Sequence, residues 1–312
     1  MGGSSVSFWA PWGHLYGYAL QPGAWIPVIL AALLYWRGRR LMAQGQRPGD
    51  PSIGPWRAVS FYCGLAVILF AVEGPINYLA SYLFWMHMLE HCLFQMVAAP
   101  LLLVGTPLLP WWRALPERWT QAVGPRLQAI GNRALPSAVG RILRTPAAGL
   151  TAMAITFWTW HVPFVFDHTL HNATLHGFEF ATLLLGGLLF WSVTVDSYPL
   201  RRHLTTWPLA GYLVLGTAVM WVVAVSLGFS GHAWYSVYFN LASRPGGISA
   251  LTDQEWGAGV AWVPAAIPAE IMLDIAVLQW LRDDEKRADA AVELYRRNQA
   301  ARSEPPPPPQ DS

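Results

Sequence analysis

The sequence predicts an all-α polytopic membrane protein, a bundle of seven transmembrane helices with its N-terminus outside and its C-terminus in the cytoplasm. Three observations lead there. Of 312 residues, 54% are hydrophobic and only 12% charged, about half the charged share of an ordinary soluble domain. Seven apolar runs approach or exceed the roughly 20 residues that cross a hydrocarbon core. And 19 of the 20 basic residues lie on alternate connections between those runs, the asymmetry expected when the arginine-rich side faces the cytoplasm.

The same composition excludes other classes. So much apolar content rules out intrinsic disorder. Two cysteines cannot staple a secreted fold. A net charge of +2 gives no case for nucleic acid. Membrane lipid is the expected surrounding, and a bacterial inner membrane the expected location. Three segments follow: an external stretch at 1–21, a membrane domain at 22–281, and a cytoplasmic charged helix with a proline-rich tail at 282–312.

The runs are 22–38, 56–73, 77–104, 146–166, 172–195, 208–228 and 255–281. The first has the shortest apolar part and ends at Arg37. Trp9, Trp12, Tyr16, Tyr18 and Trp25 precede or open it, as interfacial anchors do. No basic residues precede the first apolar ones, so the start does not read as a cleavable signal. The third run is long enough to break, and Pro100 is the expected break point. The basic connections are 37–57, 105–145, 196–207 and the tail after 281; Arg244 alone lies on the other side. Residues 117–144 space arginines between apolar residues, a pattern of short interfacial helices. Residues 279–303 read as a solvated helix, and Pro305 to Pro309 as an extended stretch.

Ionisable side chains inside a bilayer are costly and are functional candidates by default. Four of the nine histidines, His87, His91, His161 and His176, fall inside runs. At 1.5 Å per residue, His87 lies about 15 Å below residue 77. His161 and His176 lie close to the outer ends of their runs, so three helices bring histidines to similar depths. His87 and His91 share one helical face, and two imidazoles one turn apart can hold one metal ion. Glu90 borders that face, and Glu179 follows His176 at i+3. Such carboxylates can orient a ligating imidazole. A lone intramembrane histidine would read as a helix-packing hydrogen bonder; the pairing and matched depths favour a ligand set.

Other polar residues read differently. Met86 and Met88 flank His87 and offer soft sulfur, but neither shares a face with both histidines. His168 and His171 read as loop surface residues. Cys63 and Cys92 read as small buried apolar residues. Glu270 and Asp274, also i, i+4, read as structural partners of arginines such as Arg37 or Arg57.

The stretch His87-Met-Leu-Glu-His91, followed by Ala99-Pro-Leu-Leu-Leu-Val-Gly105-Thr-Pro107, resembles the signature of the CtaG family of bacterial cytochrome c oxidase assembly factors, the multi-spanning family linked to caa-type oxidases. Trp160-His161-Val-Pro163, with Asp167 and then Leu175-His176-Gly-Phe-Glu179, resembles the family's second histidine block and continues into Gly187-Leu-Leu-Phe-Trp191. Leu251-Thr-Asp253-Gln254 and Trp262-Val-Pro264 resemble its approach to the last span. The likeness runs from about residue 60 to 282. It implies an assembly role for a haem–copper oxidase through copper supply on the outer side, with oxidase subunits and a periplasmic copper chaperone as partners. It adds Asp167 to the residues near the site, with His168 and His171 as alternate ligands. The family often carries a further histidine where Phe180 stands here. Glu270 matches a position usually apolar in the family, so nothing carries over to it.

The leading expectation is therefore a copper-handling assembly factor. A haem-binding electron carrier is one rival, since histidines on facing helices ligate haem; two histidines on one face suit a small ion better. A metal or proton transporter is another, but only Gln95, Glu270 and Asp274 offer a polar path inward. No nucleophile–base pair or phosphate loop stands out, so the chain does not read as an enzyme.

Overall fold

The computed structural model describes residues 22–45, 53–116, 145–198 and 204–303, together with 118, 119 and 142. The expectations for the segment 1–21, most of 117–144, His203 and the proline stretch lie outside those residues. The described chain is helical, with no strand: α1 (Pro22–Gln44), α2 (Pro55–Glu73), α3 (Pro75–Ala80), α4 (Phe84–Val104), α5 (Leu108–Ala114), α6 (Pro146–Trp160), α7 (Pro163–Leu170), α8 (Ala173–Trp191), α9 (Thr206–Gly228), α10 (Ser236–Phe239) and α11 (Ala250–Ser303).

Helix boundaries follow from local chemistry. Pro55, Pro75, Pro146 and Pro163 open α2, α3, α6 and α7, where a missing N–H costs nothing and φ is already helical. Thr145 caps α6 by accepting from Ala148 N at 3.2 Å. Asn172 caps α8 by accepting from Thr174 N and Leu175 N.

Among the described residues, five helices are long and apolar enough to cross a membrane: α2, α4, α8, α9 and α11. The other two predicted runs coincide with α1, which carries Arg37, Arg39 and Arg40, and with α6, which has 15 residues. Large apolar side chains such as Ile26, Phe70, Ile155, Val214 and Ile271 stay exposed on the outside, as lipid-facing residues do. The chain is an all-α membrane protein.

The third predicted run divides before its polar part. α3 ends at Ala80, and α4 starts after a turn. Pro100 does not break α4. The chain instead widens into a π segment at Leu93–Ala98, and Ala99 N–H donates to Phe94 O, five residues back. Pro100 has no N–H to give the Gln95 carbonyl. Trp191 Nε1 on α8 donates to that carbonyl at 3.0 Å. At the same place Gly187 lets α8 close on α4: a Cβ there would lie 2.6 Å from Gln95 O and 2.9 Å from Ala99 Cβ. This contact sets the register of α8 against α4 and so the height of every side chain they share.

α11 continues unbroken through Pro264 and Pro268 for 54 residues, about 80 Å at 1.5 Å per residue. Its bundle-facing stripe is Ala258, Ala261, Ala265, Ala269 and Ala276, all buried. From Leu281 to Gln299 every residue is exposed.

Candidate metal centre

The i, i+3, i+4 spacing puts His87, Glu90 and His91 on one face of α4, and i, i+3 puts His176 and Glu179 on one face of α8. The α4–α8 register brings the two faces together. His87, Glu90, His91 and Glu179 have no exposed surface, and the His176 side chain keeps 21%.

Glu179 stands in the middle. Its Oε1 lies 3.0 Å from His91 Nε2, and its Oε2 lies 3.6 Å from His87 Nε2 and 3.9 Å from His176 Nε2. Glu90 Oε2 lies 3.6 Å from His87 Nδ1 on the other side of the same ring, while Asn77 Nδ2 donates to Glu90 Oε1 at 2.9 Å. The His87 ring stacks on His176 at 5.3 Å between centroids and meets His91 at 4.5 Å.

Two overlapping groups of ligand atoms each fall within 4.8 Å: His87, His91 and Glu179, and His87, Glu90 and His176. Few of these atoms have a hydrogen-bond partner. Apart from the close contact of His91 Nε2 with Glu179 Oε1, the ring nitrogens of His87 and His91, Nε2 of His176, Oε2 of Glu90 and Oε2 of Glu179 are buried without one. Buried polar groups are ordinarily paired, and two buried carboxylates are costly without a balancing positive charge. A cation among these lone pairs would meet both demands, so the donor set fits a metal ion. It is a mixed imidazole and carboxylate set, in which Glu90 and Glu179 stand among the rings.

His161 belongs to the periphery of this group. Its ring meets His91 at 5.2 Å. Its Nδ1 lies 2.6 Å from Phe157 O, and its Nε2 lies 3.0 Å from Met88 Sδ. Met88 shares no helical face with both histidines, being about 100° around α4 from His87. That turn points it at α6, which the sequence does not reveal. Phe180, in place of the family histidine, packs its ring 4.4 Å from His176 and 4.7 Å from Phe94.

The other candidates lie elsewhere. Asp167 accepts from Ser236 N at 3.1 Å, from Val237 N at 3.2 Å and from Ser236 Oγ; both oxygens are spent on the start of α10. His168 on α7 and His171 just after it are exposed, and each turns Nδ1 to a carbonyl of that helix, Phe164 O and Asp167 O. None of the three joins the converging ligand atoms. Glu270 and Asp274 are exposed, off the alanine stripe of α11, and do not line an inward path. Arg57, one of their expected partners beside Arg37, instead donates to Val104 O and Asp196 O. Cys92 is buried as expected, but Cys63 is exposed, on the outward face of α2.

Residues 33–283 match the family described as cytochrome c oxidase caa3 assembly factor. The chain belongs to this CtaG family. It is the family that the three sequence blocks resemble, and the match takes in every residue of the cluster. Uncharacterised proteins of Mycobacterium bovis and Mycobacterium tuberculosis are each 25% identical over 295 residues, covering 89% of this chain and 43% of theirs. One from Mycobacterium leprae is 24% identical over 233 residues, covering 74% and 35%. The chain thus spans less than half the length of these relatives. No solved structure matches it.

Proposed function

We propose that this CtaG-family protein handles copper for a haem–copper oxidase of the bacterial inner membrane. It holds the ion as cargo among His87, His91, His176, Glu90 and Glu179 and presents it to an oxidase subunit, after receiving it from a periplasmic chaperone. The observation that carries the reading is the convergence of buried, unpartnered nitrogen and oxygen lone pairs from α4 and α8. The family supplies the client class, and imidazole-rich sites bind copper at the top of the divalent affinity order. The arginine distribution supports placing this end of the bundle outside, where the partly exposed His176 gives access. The rings also favour an ion over haem: His87, His91 and His176 touch at 4.5–5.3 Å, with no slot between them for a planar macrocycle.

The test is metal analysis of intact purified protein. His87→Ala and His91→Ala should each abolish or strongly reduce bound copper while the protein stays inserted, because the bilayer offers no water to replace a lost imidazole and alanine preserves the helix. Active oxidase in cells should fall in parallel. His203→Ala, on the opposite side by the arginine argument, is the control. Unaltered copper in both variants would return these histidines to helix packing.

A further inference from the structure

Next to the cluster, Met88 and His161 meet in a way that their own chemistry does not explain. Both are buried, Met88 fully and His161 at 4% exposure. The Phe157 carbonyl can only accept, so the proton on a neutral His161 ring sits on Nδ1, donated to that oxygen at 2.6 Å. Nε2 then presents a bare lone pair. It is aimed at Met88 Sδ, 3.0 Å away, and a thioether sulfur carries no proton either. Two lone-pair donors face each other with nothing to share.

The surroundings hold this contact in place. The His161 carbonyl accepts from Tyr235 OH at 3.1 Å, which fixes the end of α6. On the far side of Met88, α11 approaches so closely at Gly257 that a Cβ there would lie 3.2 Å from Met88 Cγ and 2.4 Å from the Phe84 ring. The sulfur has little freedom to turn away.

We propose that Met88 Sδ and His161 Nε2 form a soft position for a monovalent ion, Cu(I) in kind, abutting the carboxylate cluster at His91. The inference rests on reading the cluster as a metal site and adds a second donor set to it. Both donors here are neutral, and the carboxylates contact His87, His91 and His176 instead. A buried divalent ion would find too little compensating charge beside His161, whereas a monovalent soft ion suits thioether and imidazole. His91 is the ring common to both sets: its Nε2 lies at Glu179, its Nδ1 has no partner, and its edge meets His161. The α4–α8 cluster takes the divalent ion and the α4–α6 contact the monovalent one.

The experiment uses the full chain purified in detergent, loaded anaerobically with Cu(I) or with Ag(I) as a redox-inert soft probe. X-ray absorption on the loaded protein should show a sulfur neighbour of the metal. Met88→Leu, which conserves volume, should remove that sulfur and lower Cu(I) affinity tenfold or more while leaving Zn(II) affinity unchanged. Met86→Leu is the control, since Met86 packs with Ile76, Leu79 and Leu83 away from His161. A purely nitrogen and oxygen shell in the wild type, or equal Cu(I) affinity in Met88→Leu and wild type, overturns the proposal and leaves the contact as an N–H···S bond of a charged ring. Failure of the underlying cluster reading is a separate result: Zn(II) would then bind Glu179→Gln as well as wild type.

Discussion

Two groups of buried and half-buried polar side chains lie at the same end of the bundle, and they differ in one respect. In the first, every oxygen is in use. Asp253 accepts from Phe84 N at 2.9 Å and Trp85 N at 3.1 Å, capping α4 from α11. Gln254 takes Trp234 N on its oxygen and gives its amide to Leu227 O, Ser230 Oγ and His232 O. Asp167 anchors the start of α10. In the second, His87, His91, His176, Glu90 and Glu179 converge, and most of their polar atoms have no hydrogen-bond partner. The satisfied group holds helices together. The unsatisfied group is held by them, and its free lone pairs are available to a ligand.

The most severe way to break this contrast is to exchange its consequences. Asp253→Ala leaves two buried N–H groups at the start of α4 without an acceptor. Hydrogen bonds to a charged group contribute about 1.5–3 kcal/mol each, so the variant should lose about 3 kcal/mol or more, seen as a lower thermal midpoint in detergent. Glu179→Gln is equally buried, keeps an oxygen to face His91 Nε2, and relieves a buried charge. The metal-free variant should unfold at or above the wild-type temperature. Comparable destabilisation by both would mean that the cluster is structural after all.

A smaller effect is expected where the cluster's register is set. Trp191→Phe keeps a ring in place but withdraws the indole donor from the Gln95 carbonyl beside Pro100. An unsatisfied buried acceptor costs about 1–3 kcal/mol, and thermal unfolding should fall by that amount. Metal affinity should fall with it, because α8 carries Glu179 and His176 on that register. Unchanged unfolding would show that the π segment finds another donor.

How much of this was legible beforehand follows from what a helical period can and cannot encode. The shared faces of His87, Glu90 and His91, and of His176 and Glu179, were readable because both ends of each pair sit on one helix. The centrality of Glu179 was not, since it depends on how α8 slides along α4, fixed by Gly187 at Gln95 and by the Trp191 indole. Met88 was missed for the same reason: a side chain 100° off the histidine face has meaning only once α6 is known to stand there. The role of Asp167 was misjudged because its partners, Ser236 and Val237, are about seventy residues away. The exposure of Cys63 is not readable either, because the helical period does not say which side of α2 meets the bundle.

The mildest intervention sharpens the cluster instead of damaging it. Phe180 stands where the family resemblance leads one to expect a histidine. Its ring lies against His176 at 4.4 Å, and at 6.3 and 6.4 Å from His87 and His91. Phe180→His therefore places a further imidazole beside the three rings without introducing charge at neutral pH. The stack on Phe94, 4.7 Å between centroids at 6°, is weakened, at a cost of about 1 kcal/mol. Against that loss, one more nitrogen becomes available to the ion, and groups around a metal site change affinity by about tenfold or more. The expected result is slightly lower thermal stability without metal and tighter copper binding by competition with a chelator. Equal affinity in the two proteins would show that α8 presents its ligands only through His176 and Glu179, and that the phenylalanine serves to keep the group dry.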